Sequence, residues 1–248
     1  MDEQAVIQVS TVSKCYGENK AIKSVSFQVK RGELFGLIGR HGSGKTTLLE
    51  LLMGHRLPDN GSIKVLGVDV KGGSSALKED ISIFMQSTSL VDKLTVREAL
   101  HKFQSFFHQD HETEGLIEQF GLSAYADKEV KRLSGGLRQK AMLAIAISND
   151  PQIVFLDEPT TGLDAGAKQE YWKMLSALRM QGKTIIINSH DMSEIYSHCD
   201  RVGVMREGQL VACNQPRRLI DELPYGGMTM EAVYMHYAVN EVEGGVEV

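Results

Sequence analysis

Little in this sequence offers a covalent or metal-built framework. Its three cysteines, Cys15, Cys199 and Cys213, are widely scattered and form no CxxC pair, which argues against both a disulfide scaffold and a zinc site. No apolar run approaches the ~20 residues needed to cross a bilayer, and one of the longest, residues 141–147, falls far short. The amino terminus, Met1-Asp2-Glu3-Gln4, is acidic and lacks the basic-then-apolar layout of a secretion signal. These absences predict a protein made and kept in the cytoplasm. If it works at a membrane, another polypeptide must anchor it. Positive charge is also scarce: 27 Lys and Arg stand against 32 Asp and Glu, for a net charge of -5. With no basic stripe interleaved with aromatics, nucleic acid is not an expected partner. No internal repeat and no low-complexity linker divides the chain.

What is present is ordinary globular material. The 248 residues, 42% apolar and 24% charged, suffice for one large domain with a subdomain and a true core. Strands are expected at residues 6–9, 21–29 and 34–38, the last apolar throughout and ending in glycine, followed by a helix over 45–53. A Pro58-Asp59-Asn60-Gly61 turn leads to strands at 62–66 and 81–85. From about Thr95 to Ser148 the pattern turns helical. Thr95-Val96-Arg97-Glu98 has the form of a capping box, Leu100, Phe103 and Phe107 recur at helical spacing, and Leu116, Ile117 and Phe120 follow. Strand and helix then alternate: strands at 153–156, 184–188 and 202–205, helices at 165–180 and 192–199. Such alternation implies a largely parallel sheet covered by helices.

Three motifs carry chemistry. Gly39-Arg40-His41-Gly42-Ser43-Gly44-Lys45-Thr46-Thr47 fits G-x-x-x-x-G-K-[ST], follows a strand and opens a helix. In such a loop, backbone N–H groups curl around phosphate oxygens, Lys45 reaches the β- and γ-phosphates, and Thr46 ligates Mg²⁺. Alone it indicates only a nucleoside triphosphate. The second motif, Ile153-Val154-Phe155-Leu156-Asp157-Glu158-Pro159, is an apolar strand ending in two carboxylates. Read alone it is either a common acidic turn or a pair in which Asp157 holds magnesium and Glu158 orients and deprotonates water. The third is Leu133-Ser134-Gly135-Gly136-Leu137-Arg138-Gln139-Lys140, before the apolar helix at 141–148. Ser134 can cap that helix, whose exposed N–H groups would meet an anion.

With these three in this order, the chain resembles the ABC ATPases, whose LSGGQ signature lies on a helical subdomain. The resemblance spans nearly the whole chain and implies an α/β fold: a P-loop NTPase, RecA-like core with a mostly parallel sheet, an N-terminal antiparallel β-subdomain and an inserted α-helical subdomain. The expected divisions are 1–86 with 150–215 for the ATP-binding core, 87–149 for the helical subdomain, and a C-terminal tail at 216–248. In that family the signature of one subunit closes over the γ-phosphate held by the phosphate loop of another. The resemblance therefore implies nucleotide contacts from Gly39, Gly42, Ser43, Gly44, Lys45, Thr46 and Thr47, completed by Ser134, Gly135 and Gly136 of a second subunit. It also places Tyr16 where an aromatic stacks on adenine. Gln86 matches a magnesium-sensing glutamine that links the core to the helical subdomain, so Thr46, Gln86 and Asp157 form the expected metal set. Gly162-Leu163-Asp164 matches the loop that crosses the dimer interface, and His190 a γ-phosphate-contacting histidine. Glu158, His190, Gln86 and Lys45 are thus the expected catalytic residues, with ATP and Mg²⁺ as ligands.

The sequence departs from the family pattern in places. Arg40-His41 replaces Pro-Asn or Pro-Ser, Leu137 replaces the signature glutamine, and Asn188 stands where Thr or Ser is usual. The first two imply altered rate or affinity rather than lost activity. A GTPase is disfavoured because no Asn-Lys-x-Asp motif is present. DNA-repair and ribosome-acting relatives carry a long coiled-coil insertion or two cassettes, and this chain has neither. The chain looks like the single-cassette ATPases of bacterial daunorubicin-resistance-type exporters of drugs, lipids or ions, with metal and amino-acid importers as the alternative. Integral-membrane permease subunits and a second copy or paralogous ATPase subunit are the implied partners, on the inner face of the cell membrane. Residues 87–94 lie where the family meets the membrane subunit. In the tail, Met230, Val233, Tyr234 and Tyr237 form an apolar stripe that reads as packing on the chain's own core, and residues 240–248 are acidic.

Overall fold

A computed structural model describes residues 4–72, 77–84, 91–107, 113–224, 226 and 228–239. The chain divides into two compact units, Met1–Lys78 with Thr184–Val248, and Glu79–Lys183.

The first unit contains two strand systems. One is antiparallel, with strands β1 (Ala5–Tyr16), β2 (Asn19–Lys30), β4 (Asn60–Val65) and β5 (Val68–Asp69) in the order β2-β1-β4-β5. Alternation buries Ile7, Val9, Ile22, Val25, Phe27, Ile63 and Val65 on one side. The other system is built on β3 (Leu34–Gly39), every residue of which is buried. It pairs in parallel with β8 (Thr184–Asn188) on one side and β9 (Arg201–Arg206) on the other, and β10 (Gln209–Asn214) closes antiparallel on β9. A strand buried on both faces must be apolar throughout rather than alternating, as Leu34, Phe35, Leu37 and Ile38 are. Helix α1 (Lys45–Leu52) follows β3, and α6 (Met192–His198) follows β8. Helix α6 lies so close to β3 that a Cβ on Gly36 would sit 3.0 Å from Cys199 Sγ and 3.1 Å from Ile195 Cδ1.

The tail joins this unit through α7 (Pro216–Asp221) and α8 (Met230–Tyr234). Proline at the first helical position of α7 suits a residue without an N–H, and Thr229 caps α8 by accepting the Ala232 N–H at 3.3 Å. Met230, Val233 and Ala238 are buried. The apolar stripe of the tail therefore packs on its own unit, and residues 240–248 lie outside the described residues.

In the second unit, β6 (Ile81–Phe84) pairs in parallel with β7 (Ile153–Asp157). Its helices are α2 (Val96–Gln104), α3 (Thr113–Gln119), α4 (Gly135–Ala146) and α5 (Ala165–Met180). The capping box at α2 is complete: Thr95 Oγ1 accepts the Glu98 N–H at 3.2 Å, and Glu98 Oε2 accepts the Thr95 N–H at 2.9 Å. Among the described residues no helix is long and apolar enough to cross a membrane. Antiparallel and parallel strand sets with these helices make the α/β fold expected of a P-loop NTPase.

The central position of β3 gives a stability test. Leu37 is fully buried and Leu57 is 48% exposed. Leu37→Ala should cost about 2–5 kcal/mol, read as a lower urea midpoint with unchanged slope, whereas Leu57→Ala should stay within about 0.5 kcal/mol of the parent. Equal costs at the two positions would contradict the assignment of β3 to the core.

Candidate nucleotide site

In the first unit, β3 delivers the chain into the loop Gly39–Lys45 between the parallel neighbours β8 and β9. At Gly39 a Cβ would lie 2.5 Å from the Met205 carbonyl oxygen and 2.5 Å from Ser43 Oγ, so no side chain fits there. Gly42 and Gly44 adopt φ of 80° and 104°, the left-handed region in which an L side chain is strained. Ser43 N–H donates to Arg40 O at 3.1 Å and tightens the curl. Helix α1 starts at once, with Gly44 as N-cap and no acidic residue in its first turn, so its positive end is not neutralised from within.

The side chains of this loop suit an anion. Lys45 is 9% exposed, and its ammonium donates to Gly39 O at 2.7 Å and Arg40 O at 3.0 Å. Ser43 is 5% exposed, and its Oγ has no hydrogen-bond partner among the described residues. An orphaned buried hydroxyl costs about 1–3 kcal/mol unless a bound group satisfies it, and phosphate oxygens would do so. Thr46 is exposed at the helix start and Thr47 half-buried. The glycine cradle, the buried ammonium and the unsatisfied hydroxyl thus fit a triphosphate, and the Thr46 hydroxyl is a suitable oxygen ligand for its Mg²⁺.

Two other predicted residues share this unit. His190 is exposed directly after β8, and Leu37 on β3 is in register with Asn188 on β8, so the histidine and the phosphate loop leave the same end of adjacent strands. Tyr16, 39% exposed, ends β1 at the hairpin tip. Sequence reasoning missed one contributor, the β9–β10 turn. Gly208 N–H donates to Ser43 O at 2.9 Å, while Gly208 O accepts the Lys23 N–H at 2.7 Å. Glu207 and Gly208 have φ of 46° and 80°, the pattern of a two-residue hairpin turn that twists with its strands. The Glu-Gly pair between two apolar runs was the available signal.

In the second unit, β7 is buried from Ile153 to Leu156, and Asp157 is half-buried at its end. Glu158 has φ of 47°, an uncommon conformation for a residue with a side chain, and strain of this kind collects at functional sites. Thr161 holds it there: the Thr161 hydroxyl donates to Glu158 Oε2 at 2.9 Å, and the Thr161 N–H donates to Glu158 O at 3.3 Å. The signature segment lies in this unit as well. Ser134 takes the N-cap position of α4, but its side chain makes no capping bond, contrary to the sequence expectation. With Leu137 at N3, the reciprocal half of a capping box is absent there as well. A Cβ on Gly136 would lie 2.9 Å from Ala167 Cβ on α5, so this glycine is required by the close packing of α4 on α5. Asp164 caps α5, its Oδ1 accepting the Ala167 N–H at 2.9 Å.

Ser134, Gly136 and Asp164 come together around a cleft of about 410 Å³, lined also by Gly135, Gly162 and Glu170, whereas Asp157 and Glu158 are not part of its lining. Lys140 pairs with Glu170 at 2.6 Å, and this bond holds the Glu170 carboxyl below its ordinary range. Gln86 lies outside the described residues.

A family model described as ABC transporter matches residues 22–161. Nod factor export ATP-binding protein I of Rhizobium etli is 39% identical over 222 residues, which is 88% of this chain and 70% of that protein. The protein of the same name from Neorhizobium galegae is 38% identical, over 88% of this chain and 64% of its own length. Among solved structures, the ATP-binding subunit of an ABC transporter superposes with a TM-score of 0.84 at 23% identity, over 94% of this chain and 99% of the other. A Clostridium perfringens protein, part of the ABC transporter complex cbiONQ, gives 0.80 at 27% identity, over 89% and 92%. With a family match over more than half its length and relatives of this identity, the chain belongs to the ABC transporter family, as an ATP-binding subunit and an ATPase.

Proposed function

We propose that this chain binds ATP with Mg²⁺ and hydrolyses it to drive an ABC exporter, two such subunits closing head to tail on the nucleotide beneath separate integral-membrane permease subunits. One observation carries the reading: two loop ends built for anions keep unused hydroxyls. Among the described residues, Ser43 Oγ is buried without a partner in the glycine cradle, and the exposed Ser134 at the tip of α4 does not spend its hydroxyl on the helix cap. Each awaits an acceptor or donor, and a triphosphate held between two copies supplies both.

In this reading Tyr16 stacks on adenine. The loop from Gly39 to Thr47 wraps the phosphates, and Lys45 turns from its carbonyl partners to the β- and γ-phosphates. Thr46 and Asp157 hold Mg²⁺, with Gln86 as the third proposed ligand. When bound, the ion would offset the negative charge of the phosphates. Glu158, fixed by Thr161, orients the attacking water and takes its proton, and His190 contacts the γ-phosphate. Ser134, Gly135 and Gly136 of the second subunit close over that phosphate, with Asp164 at the same interface. Closure then depends on nucleotide and opening follows hydrolysis, which makes a force-producing cycle. The second subunit is another copy or a paralogous ATPase subunit. Export is favoured because the two relatives described above are both named for it. Attachment through permeases places the chain on the inner face of the cell membrane.

Two substitutions test these roles. Glu158→Gln should bind ATP and dimerise while turnover falls about 10²- to 10⁴-fold, the usual worth of a general base. Near-normal phosphate release would remove Glu158 from that role. Lys45→Ala should weaken ATP binding at least about tenfold, measured by calorimetry, and unchanged affinity would dismiss the phosphate-loop assignment.

A further inference from the structure

The hairpin tip that carries Tyr16 is surrounded by an organised set of charges. The guanidinium carbon of Arg56 lies 5.2 Å from the centre of the Tyr16 ring, and Lys14 Nζ lies at 5.8 Å. Each cation is anchored by a carboxylate. Arg56 Nε bonds Glu50 on α1, and the Arg56 backbone N–H also donates to Glu50 O at 3.2 Å. Lys14 pairs with Asp59 at 2.8 Å, and Asp59 Oδ2 accepts the Cys15 N–H at 2.7 Å. Arg56 is the nearer of the two, and its planar guanidinium is the better partner for an aromatic face.

We propose that Arg56 is a positioning residue for nucleotide-base recognition: tied to α1 through Glu50, it fixes the Tyr16 ring that receives the adenine of ATP. The proposal rests on the base-stacking role of Tyr16 given above. It links the base end of the site to the helix that opens from the phosphate loop, because Glu50 belongs to that helix. Tyr16 is 39% exposed at a hairpin tip, so its ring is not enclosed by a core. A flat cation resting against it restricts its rotation before the base arrives, so less freedom is lost on binding. The Arg56–Glu50 pair is itself solvent-accessible, with side chains 47% and 22% exposed, so its removal should leave the fold intact.

The test compares the affinities of ATP and of inorganic tripolyphosphate, which has no base, for the parent, Arg56→Ala, Tyr16→Ala and the double variant, with thermal melting as a check on folding. Tyr16→Ala should weaken ATP about tenfold or more and leave tripolyphosphate unchanged. Arg56→Ala should weaken ATP about 2- to 5-fold, the worth of one exposed cation–ring contact, again without effect on tripolyphosphate. Added to Tyr16→Ala, it should have no further effect. An equal loss for both ligands would mean that Arg56 acts on the phosphate loop through α1, and a loss that persists without Tyr16 would mean that it acts apart from the ring. Either result overturns the proposal, as does unchanged ATP affinity in Arg56→Ala while Tyr16→Ala is weak. If Tyr16→Ala binds ATP normally, the stacking role itself fails, and the inference falls with it.

Discussion

At Gly39 the main chain leaving β3 runs against the main chain of β9, leaving no room for a side chain: a Cβ would meet the Met205 oxygen at 2.5 Å. That approach fixes where the phosphate loop begins. The loop is then held from its far side, where the β9–β10 turn donates the Gly208 N–H to Ser43 O. A Cβ on Gly44 would meet the Ala21 oxygen at 2.7 Å, so β2 confines the loop as well. Backbone pressed from three directions has little conformational freedom, and the Lys45 ammonium is held against the loop's own Gly39 and Arg40 carbonyls. Binding a triphosphate then requires little reordering, which is the main cost such a site would otherwise meet. The fully buried strand, the hairpin turn and the antiparallel β2 all act on a loop of a few residues.

Parts of this arrangement were legible in the sequence, for reasons that differ by element. The strands β3, β7 and β8 announce themselves because burial on both faces demands continuous apolar side chains. The capping box at Thr95 is legible because its two hydrogen bonds need only local residue types. The sequence pattern predicts β1 over residues 6–9 alone, but the strand extends from Ala5 to Tyr16. Its register shifts between Val9 and Val12, and Thr11 has φ of 47°, so a bulge resets the alternation on which that expectation relies. Strand β10 gives little signal because its partly exposed face mixes polar and apolar residues, and only its turn glycine marks it. The candidate residues themselves were legible as types in an order. Their conformations were not. Nothing in Asp157-Glu158-Pro159 states that Glu158 is held left-handed, because that depends on Thr161 and on how β7 ends.

The signature segment shows that N-cap backbone geometry does not by itself commit the side chain to the cap. Ser134 has the backbone geometry of an N-cap, and a reading from sequence gives its hydroxyl to the helix. The structure leaves that hydroxyl out of the cap. Thr95 does cap, with Glu98 at N3 completing the box, and Asp164 and Thr229 cap with only alanine at N3, so a reciprocating residue is not what a cap requires. Close packing accounts for the neighbouring Gly136, which must be small to let α4 meet Ala167 on α5. In the same few residues, then, one position is fixed by internal packing and another is released for an external contact.

Strain and freedom are distributed accordingly across the candidate residues. Glu158 is the constrained one: a left-handed backbone is costly for a side-chain-bearing residue, and the two bonds from Thr161 hold it. In the role proposed for Glu158, a carboxylate orienting a single water would gain from that rigidity, since a small displacement of the base would misalign the attack. Ser43 and Ser134 differ from Glu158 in their side chains: among the described residues the Ser43 hydroxyl has no partner, and the Ser134 hydroxyl makes no cap bond. Rigid geometry suits a group that acts on a reaction, and unspent hydrogen-bonding capacity suits groups that wait for a ligand. The division between them follows from local packing alone, before any nucleotide is considered.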